Sequence, residues 1–223
     1  MLLPCFLEAA RSSGFTDFDL IELGPSAGLN LVWDRYRYRY ENGDWGQADA
    51  SLELDGEERR TVPSELLGLR PRVVRRIGID REPVDVTSDE EALLLKAFVW
   101  ADQHTRLARL DHAIEVLRRD PPELVRGDFV ELLPDVLTSL ADDRLTLAFQ
   151  TASLGYGPPE ARRRVTEILE EAGRDRSLAF VSSGRPSDRS DHYYGLWLTV
   201  WPGTERRVVA NAGFHGQWLE WLA

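Results

Sequence analysis

Apolar and polar positions alternate along this chain with two different periods. Residues 7–13 carry a short helical pattern that the turn at 14–17 ends, and 18–23 form a largely apolar run bounded by turn residues, which predicts a strand. Gly24-Pro25-Ser26-Ala27-Gly28 cannot continue that strand, and Leu29, Val32, Trp33 and Tyr36 then recur at helical spacing. Strand, glycine turn and helix make the opening of a βαβ unit. Turn signals at 42–44 and 55–57 flank an alternating stretch, so residues 38–61 are expected to form an inserted β-hairpin outside the central sheet. Further strands are expected at 73–79, 124–128, 145–151 and 178–182, with helices at 88–100, 103–119, 130–141 and 159–172 between them. Ser88 with Glu91 spells a capping box, and Asp102 can cap the next helix. Runs at 196–201 and 207–212 follow with no helix between them. The order predicts one α/β domain over residues 1–223, its sheet mainly parallel with an antiparallel C-terminal hairpin and helices on both faces.

Composition narrows the classes. The chain has 223 residues, 43% of them hydrophobic and 29% charged, as in an ordinary globular protein. No apolar run reaches the ~18 residues of a membrane span. The start lacks a basic segment and Glu8 interrupts its apolar stretch, so no secretory signal is expected, and the cytoplasm is the expected location. Cys5 is the only cysteine, which excludes a disulfide framework and a cysteine-based metal site. A net charge of −11 argues against general nucleic-acid binding, which needs clustered Lys and Arg. The four histidines show no HxH or HExxH spacing, so no metal is expected. His104 and His112 are expected at the surface. In Trp33-Asp34-Arg35-Tyr36-Arg37-Tyr38-Arg39-Tyr40, an extended backbone sends the tyrosines inward and the arginines into water, or else presents both to a nucleobase.

Candidate chemistry concentrates in the loop after the first strand. Ligands of open α/β sheets sit beyond the carboxyl ends of the strands, where strand order reverses. Small residues at 24, 26 and 28 let a backbone approach a ligand closely. Glu22-x-Gly24-x-Ser26-x-Gly28 resembles the first motif of S-adenosylmethionine-dependent methyltransferases, and the expected strand order resembles their Rossmann-like sheet. The resemblance implies S-adenosylmethionine as cofactor. Glu22 would be the acidic residue of the motif, and Gly24, Ser26 and Gly28 would line the methionine end. Asp80 would accept from the ribose hydroxyls and Asp128 would lie by the adenine. Gln150 and Tyr156, near the fourth strand's carboxyl end, would face the substrate. Two features depart from the pattern: Ser26 replaces the middle glycine, and the first and second strands are unusually far apart. Over most of its length the chain also resembles an uncharacterised microbial family, domain of unknown function 2332, through ELGPSAGLNL, DRYRY, RRIGIDREPVDV, VWADQHTRLARL and VRGDFVELLP. That family tends to carry a longer N-terminal helical region, which leaves a lid or dimerisation element outside this chain's expected fold.

Two other readings stand beside the methyltransferase. One is a non-catalytic relative that binds a nucleotide-like ligand, or serves as a scaffold. The other is a serine hydrolase, since Gly24-x-Ser26-x-Gly28 also spells a nucleophile elbow and Ser26, Asp128 and His215 follow the hydrolase order. Against it, only about twenty residues precede the elbow, too few for the earlier strands such a fold needs at ~5–6 residues each. His215, in a glycine-flanked loop, is also a candidate acid or base for other chemistry. The expected partners are a small-molecule cofactor and an undefined substrate, with no membrane; a homodimer is left open.

Overall fold

The computed structural model describes residues 1–185, 192–203 and 205–223. Helix α1 (Leu2–Ser13) ends at Gly14, whose left-handed backbone closes it, and leads into β1 (Asp17–Leu23). A 3₁₀ helix (Leu29–Arg35) then precedes β2 (Arg37–Tyr40), β3 (Gly43–Trp45), β4 (Glu53–Leu54), β5 (Glu57–Arg60) and the short α2 (Ser64–Leu67). β6 (Arg72–Asp80) is followed by α3 (Asp89–Ala97), α4 (His104–Arg119), β7 (Glu123–Arg126) and α5 (Phe129–Thr138). The chain continues through β8 (Leu145–Thr151), α6 (Ser153–Tyr156), α7 (Pro159–Ala172) and β9 (Leu178–Gly184). It finishes with β10 (Tyr194–Trp201), β11 (Arg207–Ala212) and β12 (Trp218–Trp221).

Nine strands form one sheet in the order β5-β12-β11-β10-β9-β8-β1-β6-β7. The half from β9 to β7 is wholly parallel, and β1 lies between β6 and β8. Strand alternation divides the core in two. Phe18 and Leu20 of β1 pack on one face with α1, the 3₁₀ helix and α4. Ile21 and Leu23 pack on the other with α5 and α7. Burial of each such Leu, Ile or Phe contributes about 1.5–3 kcal/mol, so the two-period pattern read from the sequence fixes which side of the sheet every helix covers. The mixed α/β architecture with helices on both faces is as expected.

Several expectations need correction. The inserted unit is not a hairpin over 38–61. β2 and β3 form the hairpin, β4 adds to β2 in parallel, and β5 leaves the small sheet to join the large one beside β12. The C-terminal part is a meander of β10, β11 and β12 running antiparallel from β9 rather than a two-strand hairpin. Trp218–Trp221 was hidden because it is only four residues long. Asp102 does not cap α4, whose N-cap position is Gln103, with no side-chain capping bond. Ser88 does accept from the Glu91 amide (3.4 Å), but the Glu91 carboxylate turns to the Asp85 amide (2.6 Å), so the box is half formed. Tyr36 and Tyr38 are buried, donating to the carbonyls of Leu29 and Trp33, while Arg39 is exposed: the inward-tyrosine reading holds. His104 and His112 are exposed, as expected.

Candidate functional site

The loop after β1 is built by short backbone contacts. The Gly24 N–H donates to Ile79 O of β6 (2.9 Å), and φ of 73° puts Gly24 in the left-handed region. A Cβ there would lie 2.5 Å from Cβ of Ser153, so the loop and the start of α6 touch where only glycine fits. Gly28 (φ 84°) faces Pro122 at 3.0 Å from where its Cβ would be. Ser26, also left-handed (φ 54°), donates its N–H to Asp80 Oδ2 (2.8 Å), and Ser26 O accepts from Val84 N–H (3.1 Å). Asp80 Oδ1 accepts from Glu82 N–H (3.0 Å), and Asp80 O accepts from Gly127 N–H (2.8 Å). One carboxylate thus ties together the loops that leave β1 and β6. The two non-glycine residues of positive φ among those described, Ser26 and Ala152 (φ 93°), follow β1 and β8, the strands where the order reverses. Each costs about 1–2 kcal/mol that the surrounding contacts must offset.

Beneath the loop, Glu22 is 1% exposed. Its Oε1 accepts from Asn30 Nδ2 (2.9 Å), whereas Oε2 is buried with no hydrogen-bond partner. Burial pushes its pKa up to about 8; the Asn30 bond opposes this and the nearby Asp80 charge adds to it. Burial thus favours the neutral, protonated carboxyl of Glu22 over the anion at neutral pH.

The remaining expected residues divide by location. Asp128 caps α5 by accepting from Val130 N–H (2.8 Å) and pairs with Arg81 (2.6 Å), whose hydrogen bond holds its pKa low. It lies at the same rim as Asp80, one residue from Gly127. Gln150 is 2% exposed; its Nε2 donates to Ser183 O (2.7 Å) and its Oε1 accepts from Leu154 N–H (3.4 Å). Ser153 Oγ donates to Leu23 O, which places α6 directly beside Gly24. Tyr156, at the end of α6, is 90% exposed. His215 sits in the turn between β11 and β12, its N–H donating to Gln217 Oε1 (3.0 Å), and its pKa is lowered by burial and then by Arg106. β11 is four strand positions from β1, roughly 19 Å at ~4.8 Å per strand. Glu22, Gly24, Ser26, Gly28, Asp80 and Asp128 are thus brought to one rim, with Gln150 just behind it. Ser26, Asp128 and His215 are not assembled as a triad: no hydrogen bond links them, and the loop holding His215 follows β11, four strand positions from β1. Among the described residues no group of His, Cys, Asp and Glu could hold a metal ion.

A cavity of about 350 Å³ opens beside Ala27. The loop after β6 (83–87), Leu117 of α4, Pro121, Pro122, and Leu124 and Arg126 of β7 form its walls. The sequence analysis singled out none of Pro83, Leu117, Pro121 and Pro122 as candidate site residues, because an isolated proline or leucine carries no site signal until the fold brings it to a cavity. No helix among the described residues is long and apolar enough to cross a membrane.

Fold and rim together define a mixed α/β protein with a large, mostly parallel sheet and a reversal of strand order at β1. The chain belongs to the family described as "Uncharacterized protein conserved in bacteria (DUF2332)", whose model matches residues 1–221. Comparison with curated proteins finds no match.

Proposed function

We propose that this chain binds a small organic ligand at the carboxyl ends of β1, β6 and β7, and that the ligand is S-adenosylmethionine, serving a methyltransferase-like reaction on a small substrate. One observation carries the reading: β1 is the strand at which order reverses, and the loop leaving it meets the carboxylate that ends β6. In chain order, the parallel half runs third, second, first, fourth, fifth, as in dinucleotide-binding sheets, where the ligand sits at this crevice.

The residues present fit such a ligand at the rim. Each Asp80 oxygen accepts one amide, and a carboxylate has about four acceptor sites, so capacity for ribose hydroxyls is left. Asp128 likewise keeps acceptor capacity toward an adenine amine. The glycines contribute differently from the motif's usual reading. The space beside Gly24 and Gly28 is filled by Ser153 and Pro122, so a ligand would lie beside Ala27, over the cavity, rather than against the glycines. When bound, S-adenosylmethionine supplies an electrophilic methyl group. The protein's share would be positioning and exclusion of water, which needs no strong base.

A non-catalytic binder is the second reading. It is favoured by Gln150, whose amide is committed to Ser183 and Leu154, and by the remoteness of His215. Titration calorimetry with S-adenosylmethionine and S-adenosylhomocysteine tests the proposal. Binding is expected, with Asp80→Ala weakening it about 10-fold or more, as for loss of a charged hydrogen bond. No heat and no thermal shift at millimolar ligand retires the cofactor. Labelling of Ser26 by a fluorophosphonate would replace the reading with a hydrolase.

A further inference from the structure

The cavity beside Ala27 has a chemistry of its own. At about 350 Å³ it lies within the ~300–1,000 Å³ of small-molecule sites. Its lining includes the apolar Val84, Val86, Leu117, Pro122 and Leu124. Three charged side chains complete the wall: Arg126 on β7, Asp85 on the loop after β6, and Glu91 in the first turn of α3. Among the described residues many arginines are within 4 Å of a carboxylate, for example Arg76 with Asp34, Arg81 with Asp128 and Arg118 with Asp89, while others, Arg126 among them, are not. The three wall charges stand out because both signs line one cavity. Arg126 donates only to Arg81 O, at 3.3 Å. Asp85 accepts from the amide and hydroxyl of Thr87, and Glu91 from the Asp85 amide. Among the described residues none of the three forms an ion pair, with one another or with anything else, although opposite signs line the same cavity.

We infer that this cavity binds a small zwitterion of the amino-acid type, an apolar body carrying both a carboxylate and an ammonium group. Arg126 takes the carboxylate, in the paired geometry that guanidinium favours. Asp85 and Glu91 take the ammonium, and the proline, valine and leucine lining takes the apolar chain. A ligand of one charge only would meet a like charge in the same lining, whereas a zwitterion complements both. The chemistry is shared by a free apolar amino acid and by the amino-acid tail of S-adenosylhomocysteine. The inference goes beyond the cofactor proposal and stands or falls separately from it.

Titration calorimetry on the full chain tests it with L-leucine, L-methionine, leucinamide (no carboxylate), 4-methylpentanoate (no amine), adenosine and S-adenosylhomocysteine. At least one of L-leucine, L-methionine and S-adenosylhomocysteine is expected to bind. The two single-charge leucine analogues should bind at least about tenfold more weakly than L-leucine, and Arg126→Ala should weaken the zwitterion by a similar factor. Arg126 lies exposed on an edge strand, so an unchanged melting curve for R126A shows that the fold is intact. Glu91→Gln keeps an acceptor for the Asp85 amide while removing the charge, and provides a second variant expected to weaken binding. Binding of free L-amino acids without S-adenosylhomocysteine supports the inference and removes the cofactor proposal. Binding of S-adenosylhomocysteine that R126A and E91Q leave unchanged keeps the cofactor proposal and overturns the inference. Equal binding of the single-charge analogues, or no binding of any zwitterion at millimolar concentration, also overturns it.

Discussion

Replacing Gly24 by alanine tests whether the glycine serves contact between β1 and α6. Two costs follow from the structure. An L-residue at φ 73° pays about 1–2 kcal/mol for the left-handed backbone. The new methyl, 2.5 Å from Ser153 Cβ, must displace α6 or the loop, an overpacking cost of about 1–3 kcal/mol. The sum, about 2–5 kcal/mol, is a large part of the ~5–15 kcal/mol that holds most domains folded. At ~2–4 °C per kcal/mol for a chain of this size, the melting temperature should fall by roughly 4–20 °C, measured by circular dichroism or calorimetry. Ser153→Gly removes the crowding atom without touching φ. The double variant G24A/S153G should therefore be more stable than the sum of the single changes by about 1–3 kcal/mol. A melting temperature for G24A within about 2 °C of the parent, or strict additivity in the cycle, would show that a methyl at position 24 is not crowded by Ser153.

Other outcomes follow from buried charge. Glu22 has a folded-state pKa raised to about 8 from 4.5, so it favours the folded state fully below pH 4.5 and less as pH rises toward 8. Glu22→Gln, which mimics the protonated acid, should gain stability relative to the parent as pH goes from 5 to 9. The gain should reach a few kcal/mol, each tenfold change in proton affinity being worth about 1.4 kcal/mol; a pH-independent difference between melting curves contradicts this. Arg76→Ala leaves Asp34, 17% exposed, without its 2.7 Å partner and frees Leu31 O, and should cost about 3–5 kcal/mol in urea unfolding. R76A/D34A should recover part of that loss, and a double variant no better than R76A would show that the orphaned carboxylate is not the cause. Burial pushes the Cys5 thiol up to about 12, so iodoacetamide at pH 8 should label it only on unfolding, and rapid labelling of the native protein would show α1 to be loose.

Much of the fold is legible in the sequence because its parallel half uses strong local signals. The runs at 145–151, 159–172 and 207–212 coincide with β8, α7 and β11 because each is bounded by turn residues and keeps one period throughout. The fate of β5 was not legible. Glu57-Glu58-Arg59-Arg60 has no apolar alternation, and its place in the large sheet comes from backbone pairing with β12, some 160 residues away. The rim was legible as a set of positions, since Gly24, Ser26 and Asp80 meet. Their work was not, because a sequence cannot show that Ser153 fills the space beside Gly24, or that Asp80 already holds two amides. Arg126 escaped for a related reason: nothing in the sequence shows that it lines one cavity with Asp85 and Glu91 without pairing with either.

The seam between β5 and β12 has a consequence for how the molecule is made. A chain emerging from the ribosome delivers residues 57–60 long before their partner at 218–221 exists, so that border of the sheet stays unzipped until those residues have been made. Removing residues 218–223 would leave the early segment with nothing to pair with, and damage there would surface in the inserted unit some 160 residues away.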